Sequence, residues 1–276
     1  MSKYLHLFLP LLVIIMIGRR HSNEISIGTL NCRGIRGELK QKQLAGDIRR
    51  YKLQIVAIQE THLQATGAFE ISDGTNRYEV FYTGANENRY HGVGIIADKN
   101  LKGKFKRVSD RICTMTTYVN KKKMVIISAY APTSSASKKE PRTREEFYET
   151  LDATINSESK GTIVVVAGDF NAKTGTGHEI YPEVVGKFGK GEMNENGQQL
   201  VDTCYRNELF LTNTTFQHKM AHRTTWVCPE RIEPHKNKDG TTRRNPYRNQ
   251  IDYIIMRKQQ RTPDHTAEWK YQQITD

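Results

Sequence analysis

The chain has 276 residues and a formal charge of +12, from 42 Lys and Arg against 30 Asp and Glu. With 37% hydrophobic and 26% charged residues it is not a disordered tail, a collagen or a multi-span membrane protein. Its length suits one large α/β domain with its own core, and its charge points to an acidic partner: nucleic acid, an anionic membrane surface or a phosphorylated small molecule.

Lys3, an apolar run over residues 5–18 and then Arg19-Arg20 open the chain. The run is short of the roughly 20 residues a bilayer span needs. It fits the apolar part of a signal peptide, but no small-residue cleavage site follows it. An uncleaved signal anchor, a degenerate targeting segment and sequence foreign to the domain stay open as readings. Residues 1–23 are therefore set apart from a domain over 24–257, with 258–276 as a divergent tail. The protein is expected to be nuclear or cytoplasmic if the first segment is foreign to the domain, and secretory or membrane-anchored if it targets. Residues 5–18 are the one expected route to a membrane.

Residues 24–30 alternate apolar and polar side chains and predict a strand. Residues 37–52 carry Leu39, Leu44, Ile48 and Tyr51 near helical spacing, with basic residues opposite. The unbroken apolar run 53–58 predicts a buried strand. Residues 77–84 and 91–98 predict two strands around a polar turn. Residues 111–119 and 123–131 predict the next pair, joined at Asn120, Lys121, Lys122 and Lys123. Thr143 and Glu146 have capping-box spacing, and Phe147, Leu151 and Ile155 mark a helix face behind them. Residues 162–168 predict a second buried strand, followed by a glycine-bearing loop over 175–191. Leu200, Val201 and Cys204 mark another helix, and 209–214 and 223–228 two more strands. Residues 231–249 are polar, basic and punctuated by Pro234, Gly240 and Pro246, which predicts an exposed loop. Residues 251–256 predict the last strand. There is no internal repeat and no interdomain linker. The pattern predicts an α/β sandwich rather than a Rossmann sheet. No glycine-rich phosphate loop follows a strand, so no nucleotide cofactor is expected.

Cys32, Cys113, Cys204 and Cys228 are scattered and form no CxxC, so buried reduced thiols are expected. His218, His222, Cys228 and His235 match no zinc spacing.

Polar residues collect where the apolar runs end: Asn31, Glu60, Tyr130, Asp169, Asn171 and Asp252. Any one alone reads as a turn or cap residue. Together they suit phosphodiester hydrolysis, which needs a hard cation, an activated water and relief of charge on oxygen. Magnesium takes oxygen ligands, often one or two carboxylates with waters retained, and Glu60 suits it. Asp169 beside Asn171 suits a general base. Asn31 and Tyr130 can donate to phosphate oxygens without adding negative charge.

LNCRG at 30–34, IQETHL at 58–63, SAYAPT at 128–133, AGDFNAKTG at 167–175, TTW at 224–226 and NQIDYI at 249–254 carry a resemblance. In this order they are similar to the exonuclease–endonuclease–phosphatase superfamily. Within it the chain most resembles the apurinic-like endonuclease of long interspersed retrotransposons and the domesticated craniofacial development protein 2-like relatives. The resemblance covers roughly residues 24–257. It implies a four-layer α/β/β/α sandwich of two mostly antiparallel sheets, with the site at its top and Mg2+ or Mn2+ as cofactor. It implies that Asn31 binds metal or phosphate, that Glu60 is the metal ligand and that Tyr130 contacts phosphate. Asp169 and Asn171 then activate water and hold the phosphoryl group, and Asp252 orients a terminal histidine.

That histidine is the departure. The family pattern ends on a further strand with an SDH-type word. Here Asp264-His265 follows twelve residues after Tyr253, and nothing beyond it reads as an apolar strand. His265 is the one candidate. Otherwise the last strand is lost, which predicts an uncovered sheet edge beside Asp252 and weak or absent turnover. Lys121, Lys122 and Lys123, and Arg243, Arg244 and Arg248 on the 231–249 loop, are candidate nucleic-acid contacts, with solvated faces as the plain alternative. The expected function is metal-dependent phosphodiester hydrolysis, with DNA as partner. The alternatives are a non-catalytic nucleic-acid or protein-binding relic, and an inositol-phosphate or sphingolipid phosphohydrolase of the same superfamily.

Overall fold

The two unbroken apolar runs form the central strands of two sheets, because a strand covered on both faces has no polar side to show. A computed structural model describes residues 13–19, 22–84, 91–134, 136, 141–215, 223–236 and 242–260. The first sheet is built from β1 (Val13–Arg19), β2 (Ser22–Asn31), then after helix α1 (Glu38–Arg50) from β3 (Ile55–Gln59), β4 (Thr66–Ser72), β5 (Arg77–Thr83) and β6 (Val93–Asp98). Its spatial order is β1-β2-β3-β6-β5-β4. The chain continues through β7 (Lys104–Arg107), β8 (Ile112–Val119), β9 (Lys122–Tyr130), helix α2 (Pro141–Asn156), β10 (Ile163–Asp169), helix α3 (Glu195–Arg206) and β11 (Leu209–Leu211). It ends with β12 (Trp226–Lys236), β13 (Thr242–Asn249) and β14 (Asp252–Arg257). The second sheet has the order β11-β14-β10-β9-β8-β7, and β12 with β13 forms a separate ribbon. Each large sheet has one parallel pair, β2–β3 and β9–β10, bridged by α1 and α2; the other pairs are antiparallel.

Three apolar clusters fix the layers. Leu44, Ala45 and Ile48 of α1 pack on Val56, Ile58, Tyr78 and Val80 of the first sheet. Ile27, Ile55 and Ile95 face Met115, Ile126 and Val165 between the sheets. Phe147, Leu151 and Ile155 of α2, with Leu200, Val201 and Cys204 of α3, cover Val125, Val164 and Val166. Each such fully buried side chain contributes about 1.5–3 kcal/mol. The result is the expected α/β/β/α sandwich. Among the described residues no helix is long and apolar enough to cross a membrane.

One polar chain crosses the apolar middle layer. The Thr29 hydroxyl donates to Gln59 Oε1 at 3.3 Å, Gln59 Nε2 donates to Ser128 Oγ at 3.4 Å, and Ser128 donates to the Ile58 carbonyl at 3.2 Å. All three side chains are fully buried, so each donor and acceptor has to find its partner inside the protein. The bridge ties β2 and β3 to β9 just beneath the strand ends. Arg257, at the end of β14, donates to the carbonyls of Ile155, Glu158 and Ser159 and so satisfies the open C-terminus of α2.

The structure departs from the sequence reading in several places. From Val13 on, the apolar run placed outside the domain pairs antiparallel with β2, from Val13↔Thr29 to Ile17↔Ile25. Helix α2 starts at Pro141, so Thr143 lies within the first turn and is not its cap; proline suits that first position because its missing N–H would have no partner there. Of the expected loop, residues 231–236 and 242–249 form most of the β12–β13 ribbon, with Pro234 opposite Arg244 and Pro246 opposite Ile232, and Gly240 lies outside the described residues. Both strands of a two-stranded ribbon have a free edge, which is where proline is tolerated. The edge of β14 is covered too. β11 pairs with Ile255–Arg257, and beyond it the Asn213 side chain stands in for a strand. Its Nδ2 donates to the Asp252 carbonyl at 3.0 Å and its Oδ1 accepts from the Ile254 N–H at 3.0 Å.

Two predictions test this packing. A Cβ placed on Gly168 would lie 1.9 Å from the Ala129 carbonyl oxygen across the β9–β10 pair. Gly168→Ala should therefore cost about 3 kcal/mol or more, read as a lowered denaturant midpoint; an unchanged midpoint would refute the close approach. The thiols give the second. Cys32, Cys113 and Cys204 are buried and Cys228 is partly open. Burial pushes the Cys32 thiol up to about 12 and raises Cys113 and Cys204 as well. A disulfide reagent should titrate one thiol in the native protein and four in denaturant.

Candidate active site

Strand register gathers the polar strand ends. Tyr130 of β9, Asp169 of β10 and Asp252 of β14 stand in one row across the second sheet. In the first sheet Asn31 is paired with Gln59, which puts Glu60 one residue past the end of β3. Glu60 takes a left-handed backbone, φ 53°, as do Arg33, His62 and Asn171 at φ 46°, 56° and 48°. Non-glycine residues reach that region at a cost and stay there when their surroundings hold them. The Gly34 and Ile35 N–H groups donate to the Glu60 and Thr61 carbonyls, and the Thr61 and His62 N–H groups to the Gly92 and His91 carbonyls. The Glu60 loop is thereby stitched between two others.

One amide joins the two sheets at the site. Asn31 Nδ2 donates to Glu60 Oε1 at 2.7 Å and to Asp169 Oδ2 at 3.0 Å. The Tyr130 hydroxyl donates to the same Glu60 Oε1 at 3.1 Å, and the Asn171 N–H to Asp169 Oδ1 at 2.9 Å. Asn31 Oδ1 accepts from the Arg33 N–H at 3.2 Å. Asn31 so placed bridges the carboxylates, and the other oxygen of Glu60, Oε2, lies 3.6 Å from His62 Nε2. Thr225 of the TTW word accepts the Ile251 and Asp252 N–H groups at 2.9 and 3.1 Å and so anchors the start of β14.

A second layer holds Asn171, and the sequence reading missed it. Asn194 caps α3 by accepting from the Gly197 N–H and also accepts from the Lys173 N–H, both at 2.8 Å. Its Nδ2 donates to the Asn171 carbonyl at 3.2 Å. Asn196, fully buried, donates to the Pro132 carbonyl at 2.8 Å and to that of Asn171 at 3.3 Å. A Cβ on Gly197 would lie 1.9 Å from the Lys173 carbonyl, so only glycine lets α3 approach this closely. The Asn-x-x-Gly spacing of a capped helix start was the one visible signal.

Burial dominates the electrostatics. It pushes Asp169 up to about 6, against the hydrogen bonds from Asn31 and Asn171. It raises Asp252 too, helped by the charge of Asp169 and opposed by Thr225. It raises Tyr130 as well, which keeps the phenol a neutral donor. Asp252 Oδ1 is buried with no hydrogen-bond partner among the described residues. Sites that penalise negative charge this way are relieved by a cation. Among the described residues no three His, Cys, Asp or Glu side chains form a metal cage. The donor set, with one partly open carboxylate at Glu60, fits Mg2+ or Mn2+ held through few protein ligands with waters retained; it does not fit zinc.

Asn31, Glu60, Tyr130, Asp169 and Asn171 thus form one cluster, with Asp252 beside it in register. His265 lies outside the described residues. Lys121, Lys122 and Lys123 sit at the far end of β9, roughly 25 Å from Tyr130 at about 3.3 Å per residue, and Lys123 pairs with Glu158 at 2.6 Å. Arg248 is exposed on β13; Arg243 and Arg244 lie toward the far end of the ribbon, and their side chains are outside the described ones. The base of the ribbon is fixed to the site. Lys173 Nζ donates to the Tyr247 hydroxyl at 3.0 Å, and Trp226 packs edge-on against the Tyr247 ring.

The chain is 31% identical over 247 residues to craniofacial development protein 2 of Bos taurus and 30% identical to that of Tragulus javanicus. These matches cover 88% of this chain but 38% and 39% of the relatives' own lengths. The endonuclease domain of TRAS1, a telomere-specific non-LTR retrotransposon, superimposes with a TM-score of 0.54 at 13% identity, over 84% of this chain and 85% of that one. The catalytic domain of Xenopus laevis APE2 does so with a TM-score of 0.56 at 14% identity, over 91% and 93%. At such identities the likeness is one of fold. The sequence pattern of the endonuclease/exonuclease/phosphatase family matches residues 28–274, and the chain belongs to that family.

Proposed function

We propose that this chain is a divalent-metal-dependent phosphodiester hydrolase of retroelement descent that acts on DNA. The observation that carries the reading is the Asn31 amide, which holds Glu60 of one sheet and Asp169 of the other in one site beside the Tyr130 hydroxyl. Family membership supports hydrolysis. The fold shared with the TRAS1 endonuclease domain and the APE2 catalytic domain, together with the +12 charge, supports DNA as substrate.

Mg2+ or Mn2+ at Glu60 would polarise a phosphate oxygen and offset developing charge. The rest falls to the chain itself. Asp169 accepts a proton from water as the water oxygen bonds to phosphorus, and the bond from phosphorus to the leaving oxygen breaks. The N–H groups of Asn31 and Asn171 keep Asp169 oriented and favour its ionised form. The second N–H of Asn171 Nδ2, whose first goes to the Ala131 carbonyl, supplies a neutral donor to a phosphate oxygen, and the Tyr130 hydroxyl supplies another once its one O–H turns from Glu60 to the phosphate.

A second reading, a DNA-binding relic with little turnover, draws on Asp252 Oδ1, which has no partner among the described residues. Nicking of supercoiled plasmid decides between them. With Mg2+ the wild-type chain should nick and EDTA should stop it. Asp169→Asn should slow it by about 10²–10⁴-fold, the usual loss for a general base, and Glu60→Gln should raise the metal concentration required. Equal rates for wild type and Asp169→Asn would sink the site as drawn. Binding without turnover would favour the relic.

A further inference from the structure

The wall of the cleft beside Glu60 holds a charge that the chemistry above leaves unused. Arg111, the residue before β8, is buried, and its guanidinium lies 5.5 Å from the centre of the Tyr130 ring. Nη1 donates to the Tyr130 carbonyl at 3.3 Å. Nη2 stands 3.3 Å from Nδ1 and 3.1 Å from Nε2 of His91. A point in the ring plane that near to both nitrogens would crowd the carbon between them, so Nη2 sits over the imidazole face. The guanidinium is wedged against two rings, while His91 Nδ1 stands 4.0 Å from Asp110 Oδ2 and a quarter of the His91 side chain stays exposed.

A guanidinium offers five N–H donors. Among the described residues no carboxylate comes within ion-pair distance of Arg111; Asp110 stands 4.0 Å from His91 Nδ1, and its charge acts on Arg111 from farther off. Burying a cation with one carbonyl in its plane is costly. His91 exposes 25% of its side chain, and its carbonyl accepts the His62 N–H at 3.3 Å, which seats it beside the Glu60 loop. The Tyr130 ring packs edge-on to His91 at 6.2 Å, while its hydroxyl reaches Glu60. A half-open imidazole backed by a buried guanidinium that no carboxylate among the described residues touches, one ring away from the reactive carboxylates, is complementary to an anion.

We propose that His91 and Arg111 form a second anion subsite, which receives the phosphate next to the scissile one on the substrate strand. A ring N–H of His91 donates to a phosphate oxygen, and Arg111 behind it supplies positive field. The inference rests on the reading of this chain as acting on a polynucleotide. A strand is the occupant, rather than free phosphate, because the Tyr130 ring packs on His91 while its hydroxyl reaches Glu60, so that phosphates in series can engage both ends of one side chain.

Binding in EDTA tests this without turnover. A fluorescent DNA duplex, inorganic phosphate and inositol trisphosphate are each titrated into wild type, His91→Ala, His91→Gln and Arg111→Met, the last checked for folding by its denaturant midpoint. The expected result is a loss of about tenfold in duplex affinity for His91→Ala, the scale of one hydrogen bond to a charged group. His91→Gln, which keeps an N–H donor, should recover part of it, and a folded Arg111→Met should lose at least as much as His91→Ala. Unchanged duplex affinity in His91→Ala would overturn the subsite. A loss confined to inorganic phosphate or inositol trisphosphate would overturn the strand assignment. Weakened binding in a chain that never nicks plasmid would support the subsite and sink the hydrolase; full nicking with undiminished binding would do the reverse.

Discussion

The site depends on one amide. Glu60 and Asp169 come from opposite sheets, and two carboxylates that close repel each other. Asn31 donates to both and turns the repulsion into a shared hydrogen-bond centre. Its reach sets how the sheets must stack. The buried Thr29–Gln59–Ser128 chain lies one or two residues below it and locks β2, β3 and β9 at that spacing. The apolar layer alone would not specify it, because aliphatic packing tolerates small slips that hydrogen bonds do not. The polar chain fixes the offset, and the amide uses it.

Above that lock the loops hold backbone conformations that cost energy. Left-handed Arg33, Glu60, His62 and Asn171 all lie in the turns that leave the strand ends. Each is constrained from outside its own turn: Glu60 by the Gly34 N–H, and Asn171 by Asn194 and Asn196 on the first turn of α3. Asn171 therefore owes its place to a helix that starts more than twenty residues later in the chain. The site is preorganised by parts of the fold that would never touch substrate.

How much of this could be read from the sequence follows from where each signal is written. The central strands are legible because burial on both faces leaves unbroken apolar runs, as in Ile163–Asp169. The edges are not. Strand β7 reads KFKR, since an exposed edge takes charges that discourage further pairing, and the same charges hide it. Prolines made a ribbon look like a loop. The cluster residues were legible as words at strand ends, but those that hold them were not. Arg111, His91, Asn194 and Asn196 act through partners brought near by folding, and a lone His or Asn in sequence looks like any turn residue. Asn213 is the extreme case, a side chain that imitates a strand beside β14.

The charges of the chain are arranged in two ranges. The net +12 acts at long range over the surface, where screening limits it to a Debye length of about 8 Å at physiological salt. Inside the cleft the sign reverses, because Glu60, Asp169 and Asp252 are gathered there and burial weakens their hydration. Arg33 is the near cation that favours the ionised forms of both Asp169 and Asp252, and it is exposed. On the proposed function, a polyanion drawn in by the surface would meet carboxylates at the centre, and their field would oppose it until a cation balanced them. The fold keeps basic residues outside and gathers acids inside, so on that reading the groups that would attract a phosphate chain and those that would hold a divalent cation lie in different layers and meet at the strand ends.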